Sequence, residues 1–125
     1  MEYLLVGAGG FLGANARYVL ANWVTARLGA DFPYGTLLVN VTGSLAIGVL
    51  LVLLTDRLAA DPAWRLLLVV GFLGGYTTFS SYTFEALVLA EAGQWVRATW
   101  YVLGSNVVGL LAAYAGMVLA RTFGR

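Results

Sequence analysis

The sequence predicts an all-α membrane protein with four transmembrane helices, the third of which is broken between Gly74 and Thr78. Of the 125 residues, 61% are hydrophobic and only 10% are charged, and the mean hydropathy is +0.85. A soluble domain of this length needs far less apolar surface. A bilayer-spanning helix takes about 20 apolar residues. Three uncharged runs have or nearly have that length: 32–55, 66–84 and 98–120. A fourth run, 3–26, contains one charged residue, Arg17. We therefore expect residues 1–125 to form a single four-helix transmembrane domain in the cell membrane.

The first span carries Gly9, Gly13 and Arg17 at intervals of four residues, hence on one helix face. Small residues at this spacing let a neighbouring helix approach closely. Arg17 has two interpretations: it faces the bundle interior or a water-filled vestibule, or its guanidinium extends to the interface beside Tyr18.

The second span follows a short link, 29–34, in which Pro33 ends any helix. Thr36, Asn40, Ser44 and Gly48 then recur every four residues and form one uncharged polar stripe. Such a stripe either holds helices together or lines a path, and taken alone it favours helix packing.

The third span begins after a loop, 56–63, in which Asp61 is expected to cap the helix and Pro62 to open it. The run GFLGGYTTFSSYTFE (71–85) then predicts a break. Weak helix formers and β-branched residues adjoin there, and in hydrocarbon a break persists only where it faces protein, water or an ion. Its freed carbonyls suit a cation, and Ser80 and Ser81 are expected to cap the second half, whose N-terminus favours an anion. The alternative is a helix merely kinked by glycines.

Beyond the break, Phe79, Tyr82 and Glu85 fall on one face, three residues apart. Packing alone explains many aromatic pairs, but this pair adjoins hydroxyls and the only mid-chain carboxylate in a span. The fourth span follows a turn at 92–94 and repeats small or polar residues at Tyr101, Ser105, Gly109 and Ala113. Helix packing accounts well for the last two residues and less well for Tyr101 and Ser105.

The absence of cysteine and histidine excludes disulfides, imidazole proton relays and most transition-metal sites. A net charge of +1 gives no indication of nucleic-acid binding, so membrane lipid is the expected environment and partner. An enzyme is the least supported class, because one intramembrane carboxylate offers little catalytic chemistry.

The arginines specify orientation only weakly. The termini and the loop between the second and third spans share one side and carry Arg57, Arg65, Arg121 and Arg125, whereas the other side carries Arg27, Arg97 and, near a span end, Arg17. Because four arginines on one side against three on the other is a slight bias, the chain could insert in both orientations and form antiparallel dimers.

The chain resembles the CrcB/Fluc family of small fluoride channels in the order and spacing of four motifs. These are GGFLGANARY, GTLLVNVTGS, GFLGGYTTFSSY, and Tyr101 with Ser105. The resemblance implies a dual-topology homodimer with two fluoride pores and a central structural sodium ion at the breaks of the third span.

The resemblance also assigns roles to residues. Asn40 looks like the pore asparagine, and Phe79 matches the first member of the aromatic pair; Tyr82 occupies the second position, where the family usually has phenylalanine. The backbone carbonyls of Gly75 and Thr78 match the sodium ligands. The lesser polar members of the path would be Tyr101, Ser105, Thr36 and Glu85, with Arg17 as the vestibule arginine.

The chemistry of fluoride agrees with these assignments. A strongly hydrated anion needs donors that replace water without a fixed cation that would trap it. Amide and hydroxyl groups are donors, and aromatic edges carry positive charge. The Tyr82 phenol could bind fluoride or point toward Ser or Thr partners. The alternative function is a proton-coupled exporter that resembles the small multidrug transporters, although such exporters need a carboxylate within the first span and Glu2 lies at its terminus.

Overall fold

The computed structural model describes residues 1–124, and in them four helical spans are long and apolar enough to cross a membrane: Glu2–Leu28, Tyr34–Arg57, Pro62–Glu91 and Trp95–Phe123. Helix α1 is Glu2–Leu28, and α2 is Tyr34–Leu51, continued by the π-helical segment Val52–Arg57. The third span consists of α3 (62–76) and α4 (Phe79–Glu91), and the fourth is α5 (Trp95–Phe123). The predicted fold class of a multi-pass, all-α membrane protein is therefore confirmed. The single domain over 1–125 stays a prediction.

Helix α1 approaches the backbone of α3 closely at two glycines. A Cβ atom on Gly9 would overlap the carbonyl oxygen of Leu67, and one on Gly13 would overlap that of Phe72. Gly71 lies opposite, where a Cβ would stand 2.9 Å from the Cα of Gly9. The small face predicted on the first span is thus confirmed as a helix contact.

Helices α2 and α5 make a second contact of the same kind. A Cβ on Gly48 would overlap the carbonyl oxygen of Ala113, and one on Gly116 would overlap that of Leu45. Gly48, the last residue of the polar stripe on α2, therefore serves helix packing, which is one of the two interpretations of the stripe.

The connections agree with the turn chemistry of the sequence. Pro33 precedes α2, and Gly93 supplies a positive φ of 77° in the turn before α5. The carboxylate of Asp61 accepts a hydrogen bond from the backbone N–H of Ala63 at 2.8 Å, with Pro62 in the first helical position, as predicted.

Two π-helical segments, Val52–Arg57 and Arg65–Leu73, are not predicted by the sequence analysis. In the first, the helix continues past residue 55, and the N–H of Leu58 donates to the carbonyl oxygen five residues back, on Leu53, at 2.8 Å. The predicted loop 56–63 is consequently shorter. The residue types in these two segments carry no local signal that separates this hydrogen-bond pattern from that of an α-helix.

Arg57 connects the second and fourth spans at one end of the bundle. Its Nη2 donates to the carbonyl oxygen of Arg121 at 2.7 Å. The end of the second span and the end of the fourth therefore lie on the same side, as the four-span topology requires. Arg125, predicted for this side, lies outside the described residues.

Large apolar side chains cover much of the surface of the single chain. Phe11 and Phe84 are each 68% exposed, and Leu110 is 73% exposed. Such a surface is expected where lipid or another subunit replaces water. Lipid as a partner and the antiparallel homodimer stay predictions.

Candidate functional site

The break in the third span lies at Thr77 and Thr78, the C-terminal part of the predicted interval. Both residues have extended backbone, with φ −83° and ψ 158° at Thr77 and φ −147° and ψ 121° at Thr78. The side chain of Asn40 pairs with this extended segment: its Nδ2 donates to the carbonyl oxygen of Thr78 at 2.9 Å, and its Oδ1 accepts from the N–H of Thr78 at 2.8 Å. Asn40 thus satisfies both polar groups that the break exposes at that residue.

Thr78, not Ser80 or Ser81, caps the second half-helix. The Thr78 Oγ1 accepts from the N–H of Ser81 at 3.2 Å and donates to the Ser81 Oγ at 3.1 Å. The prediction that the serines are caps was wrong, because the helix resumes at Phe79 and places both serines inside its first turn. Of Thr78, Ser80 and Ser81, only Thr78 has the extended backbone that the capping position requires.

Arg17 reaches the other side of the break. Its Nε donates to the carbonyl oxygen of Gly75 at 3.0 Å, in a partly buried position. This carbonyl lies in the last turn of α3, where intrahelical donors are lost. Of the two interpretations given for Arg17, the structure therefore supports the inward one.

An open groove of about 480 Å³ runs along the break between α2, α3, α4 and α5. We call it the break groove. Asn40, Phe79, Tyr82 and Ser105, four of the predicted path residues, meet in it. None of the sixteen described residues that line it is charged; the others are Gly43, Ser44, Ile47, Val69, Leu73, Gly74, Thr77, Thr78, Asn106, Gly109, Leu110 and Ala113.

The aromatic pair predicted for the path forms a ring contact at the start of α4. The ring centroids of Phe79 and Tyr82 are 5.7 Å apart, with planes inclined by 54°. Phe79 is 76% exposed in the single chain, whereas Tyr82 is 9% exposed and packs edge-on against Tyr101 at 5.4 Å and 71°. Phe79 therefore projects from the subunit, and Tyr82 forms the wall behind it.

The Tyr82 hydroxyl points toward α5 and is held there by an asparagine. It accepts from Nδ2 of Asn106 at 2.9 Å and donates to the carbonyl oxygen of Val102 at 3.4 Å. The expected alternative of a Ser or Thr partner was wrong. Sequence analysis did not place Asn106 in the path, and its one signal was an amide next to Ser105 in the membrane-spanning part of α5.

Ser105 offers an unused hydroxyl. The residue lines the break groove, and its Oγ atom is buried and has no hydrogen-bond partner among the described residues. Buried polar atoms are nearly always paired, so the missing partner is consistent with a species bound beside Ser105.

The remaining predicted path residues form a separate cluster. Thr36 Oγ1 donates to Glu85 Oε1 and the Tyr101 hydroxyl donates to Glu85 Oε2, each at 2.8 Å. Tyr101 is only 1% exposed, and Thr36 is 9% exposed. The contact between the Tyr101 and Tyr82 rings connects this cluster to the groove.

The predicted sodium site uses backbone oxygens, and the described residues 1–124 contain no group of three or more acidic, histidine or cysteine side chains that would hold a metal instead. The carbonyls of Gly75 and Thr78 flank the break, and each accepts one side-chain hydrogen bond, from Arg17 and Asn40. A carbonyl oxygen has two lone pairs, so each keeps one for a cation. The two groups therefore fit the predicted role, which stays a prediction.

Comparison with known proteins covers nearly the whole chain. The chain is 52% identical over 122 residues to a protein of Solibacter usitatus, which covers 97% of this chain and 99% of the relative. It is 49% identical over 121 residues to a protein of Roseiflexus sp., which covers 97% of this chain and 98% of the relative. A protein of Koribacter versatilis is 46% identical over 121 residues (97% and 96%). All three relatives are named fluoride-specific ion channel FluC. Residues 4–117 also match the family described as CrcB-like protein, Camphor Resistance (CrcB). The chain therefore belongs to the CrcB-like protein family.

Proposed function

We propose that this protein is a channel that passes fluoride down its electrochemical gradient, as an antiparallel homodimer with two pores and a structural sodium ion between the subunits. The names of the three relatives support the choice of ion. The observation that carries the proposal in this chain is the break groove, which combines hydrogen-bond donors with a lining free of charge.

Fluoride leaves water only where donors replace its hydration shell. In the groove, one amide hydrogen of Asn40 bonds to the Thr78 carbonyl, and a second amide hydrogen remains for the anion. The unpartnered Ser105 hydroxyl adds another donor. Because these groups are neutral, they can bind the ion without holding it as tightly as a lysine or arginine would.

Aromatic edges and the start of α4 extend this environment. The C–H edges of Phe79 and Tyr82 carry the positive end of the ring quadrupole. Helix α4, with 13 residues, begins at Phe79, and its N-terminus carries positive partial charge. Both features attract an anion along the groove and add no formal charge.

The carbonyls of Gly75 and Thr78 would hold sodium, two from each subunit. The ion would neutralise converging carbonyl dipoles and stabilise the assembly. Arg17 and Asn40 hold these two carbonyls by hydrogen bonds and so fix the direction in which they point. The cluster of Thr36, Glu85 and Tyr101 is proposed as a polar continuation of the path, in which the carboxylate is shielded by two hydroxyl donors.

A second copy of the chain would complete the pore. The groove is open along one side, and Phe79 projects from the subunit surface with 76% of its area exposed. An aromatic ring at the entrance of a groove is well placed to contact an opposing subunit, which supports the dimeric arrangement.

The test uses purified protein in liposomes loaded with fluoride or chloride at neutral pH, with efflux recorded by ion-selective electrodes. A potassium ionophore carries the balancing charge, and protein-free liposomes are the control. The proposal expects fluoride efflux without a proton gradient and much slower chloride efflux. Fluoride efflux that requires a proton gradient would indicate the coupled exporter, and no fluoride efflux would contradict the proposed function.

A further inference from the structure

We infer that Asn106 is a positioning residue: it holds the phenol of Tyr82 against α5, so that the ring edge of Tyr82 and not its hydroxyl faces the break groove. The inference rests on the proposed function and assigns a role to a residue outside the predicted path.

The two hydrogens of the Asn106 amide are both committed at this contact. One is donated to the Tyr82 hydroxyl at 2.9 Å, and the other to the carbonyl oxygen of Val102, in the preceding turn of α5, at 2.8 Å. The bond to Val102 fixes the rotamer of Asn106, so the amide presents its second hydrogen in a defined direction.

The Tyr82 hydroxyl is correspondingly turned away from an anion in the groove. Its oxygen accepts from Asn106, and its proton is directed at the Val102 carbonyl, 3.4 Å away. The long second distance indicates that the Asn106 bond is the stronger of the two restraints. Tyr101 and Phe79 contact the ring of Tyr82, whereas the hydrogen bonds of its hydroxyl go to Val102 and Asn106.

This restraint matters because the side chain is a tyrosine. A phenol proton released into the groove would form a charge-assisted hydrogen bond to fluoride, which is roughly twice as strong as a neutral one. Conduction requires that an ion be able to leave each site, so an added strong donor would slow passage. A phenylalanine at this position has no such proton and would need no partner.

The test is a cycle of four proteins: the parent, Asn106→Leu, Tyr82→Phe and the double variant, all in the fluoride efflux assay. Leucine branches at Cγ as asparagine does but donates no hydrogen bond. Asn106→Leu is expected to slow fluoride efflux about tenfold, the scale of one hydrogen bond to a charged group. Tyr82→Phe sets the reference rate of a path without the phenol, and the double variant should conduct at the level of Tyr82→Phe, so that the loss from Asn106→Leu disappears in that background.

Two results of the cycle would overturn the inference. Equal losses from Asn106→Leu in the parent and in the Tyr82→Phe background would place Asn106 in packing or in direct contact with the ion. An unchanged rate in Asn106→Leu would show that the phenol needs no restraint. If Asn106→Leu does not form the parental oligomer by size-exclusion chromatography, Asn106→Ala replaces it in the cycle.

A second measurement tests the contact without transport. Ultraviolet resonance Raman spectra report the hydrogen bonding of a tyrosine hydroxyl, and subtracting each Tyr82→Phe protein from its Tyr82 counterpart isolates the signal of Tyr82. Removal of Asn106 should change that difference spectrum, and an unchanged spectrum would contradict the inference. If the parent transports no fluoride but the spectrum changes, the proposed function fails while the contact stands.

Discussion

Asn40 and Thr78 exchange two hydrogen bonds, one from the amide of Asn40 to the Thr78 carbonyl at 2.9 Å and one from the Thr78 N–H to the amide oxygen at 2.8 Å. A side chain on the second span thus completes the backbone pairing of the third. The same asparagine keeps one amide hydrogen for the groove, so its structural and proposed ion-binding roles depend on one orientation.

Asn40→Asp is expected to abolish measurable fluoride flux. A carboxylate removes the donor and repels the anion, and at ~4 Å with an effective dielectric constant of ~20 the repulsion is about 4 kcal/mol, or roughly three orders of magnitude in rate. Efflux from liposomes measures the change. Asn15→Asp is the matched control, since Asn15 is exposed and bonds to Phe11 of its own helix. Parental flux in Asn40→Asp would remove this residue from the path.

Sodium is expected to stabilise the assembled protein. An ion that binds only the folded state at 100 times its Kd adds about 2.7 kcal/mol to the free energy of unfolding. Thermal melting in sodium, potassium, lithium or an organic cation at constant ionic strength should give the highest Tm in sodium. The same Tm in all four salts over a wide concentration range would contradict a specific site at Gly75 and Thr78.

An antiparallel dimer is expected to show both of its loop types on each face of the membrane. The chain has no cysteine, so Asp31→Cys and Ala60→Cys place single labels in loops on opposite sides. An impermeant maleimide applied from outside should modify about half of each variant, because equal insertion in both orientations exposes each loop on either side. Complete labelling of one variant and full protection of the other would exclude dual topology.

Gly13→Ala is expected to destabilise the protein, whereas Gly7→Ala is not. The added methyl group at residue 13 would overlap the Phe72 carbonyl, while at residue 7 it would meet nothing within 4 Å. Overpacking of a tight contact typically lowers stability by about 1–3 kcal/mol. Denaturant or thermal unfolding in detergent compares the two variants. Equal stability of both would mean that α1 and α3 do not rely on this close contact.

Local sequence predicted those features that local chemistry determines. The glycine face of α1, the Asp61 cap and the break near Thr78 follow from residue type and spacing alone. The π-helical segments could not be predicted, because their residue types suit either hydrogen-bond pattern. Thr78 as the cap depends on where the helix resumes, which is at Phe79, before the serines that were expected to cap it.

The candidate site was predictable as a set of residues but not as a set of contacts. The four path residues in the groove and the cluster around Glu85 were selected in advance, partly through family resemblance. The bonds from Arg17 to Gly75 and from Asn106 to Tyr82 join residues 58 and 24 positions apart. Such pairings depend on how the helices pack, which helical periodicity does not specify.

The break in the third span arises from its own residues, but the carbonyls on either side of it are held by side chains of α1 and α2. Transplanting residues 71–85 into another membrane helix would therefore transfer the break without the contacts that hold its shape. An engineer who wishes to reuse this feature must move Arg17 and Asn40 with it, together with the glycines that set how near α1 can stand. For the same reason, substitutions on these neighbouring helices can change the geometry of the break while every residue of the third span stays the same.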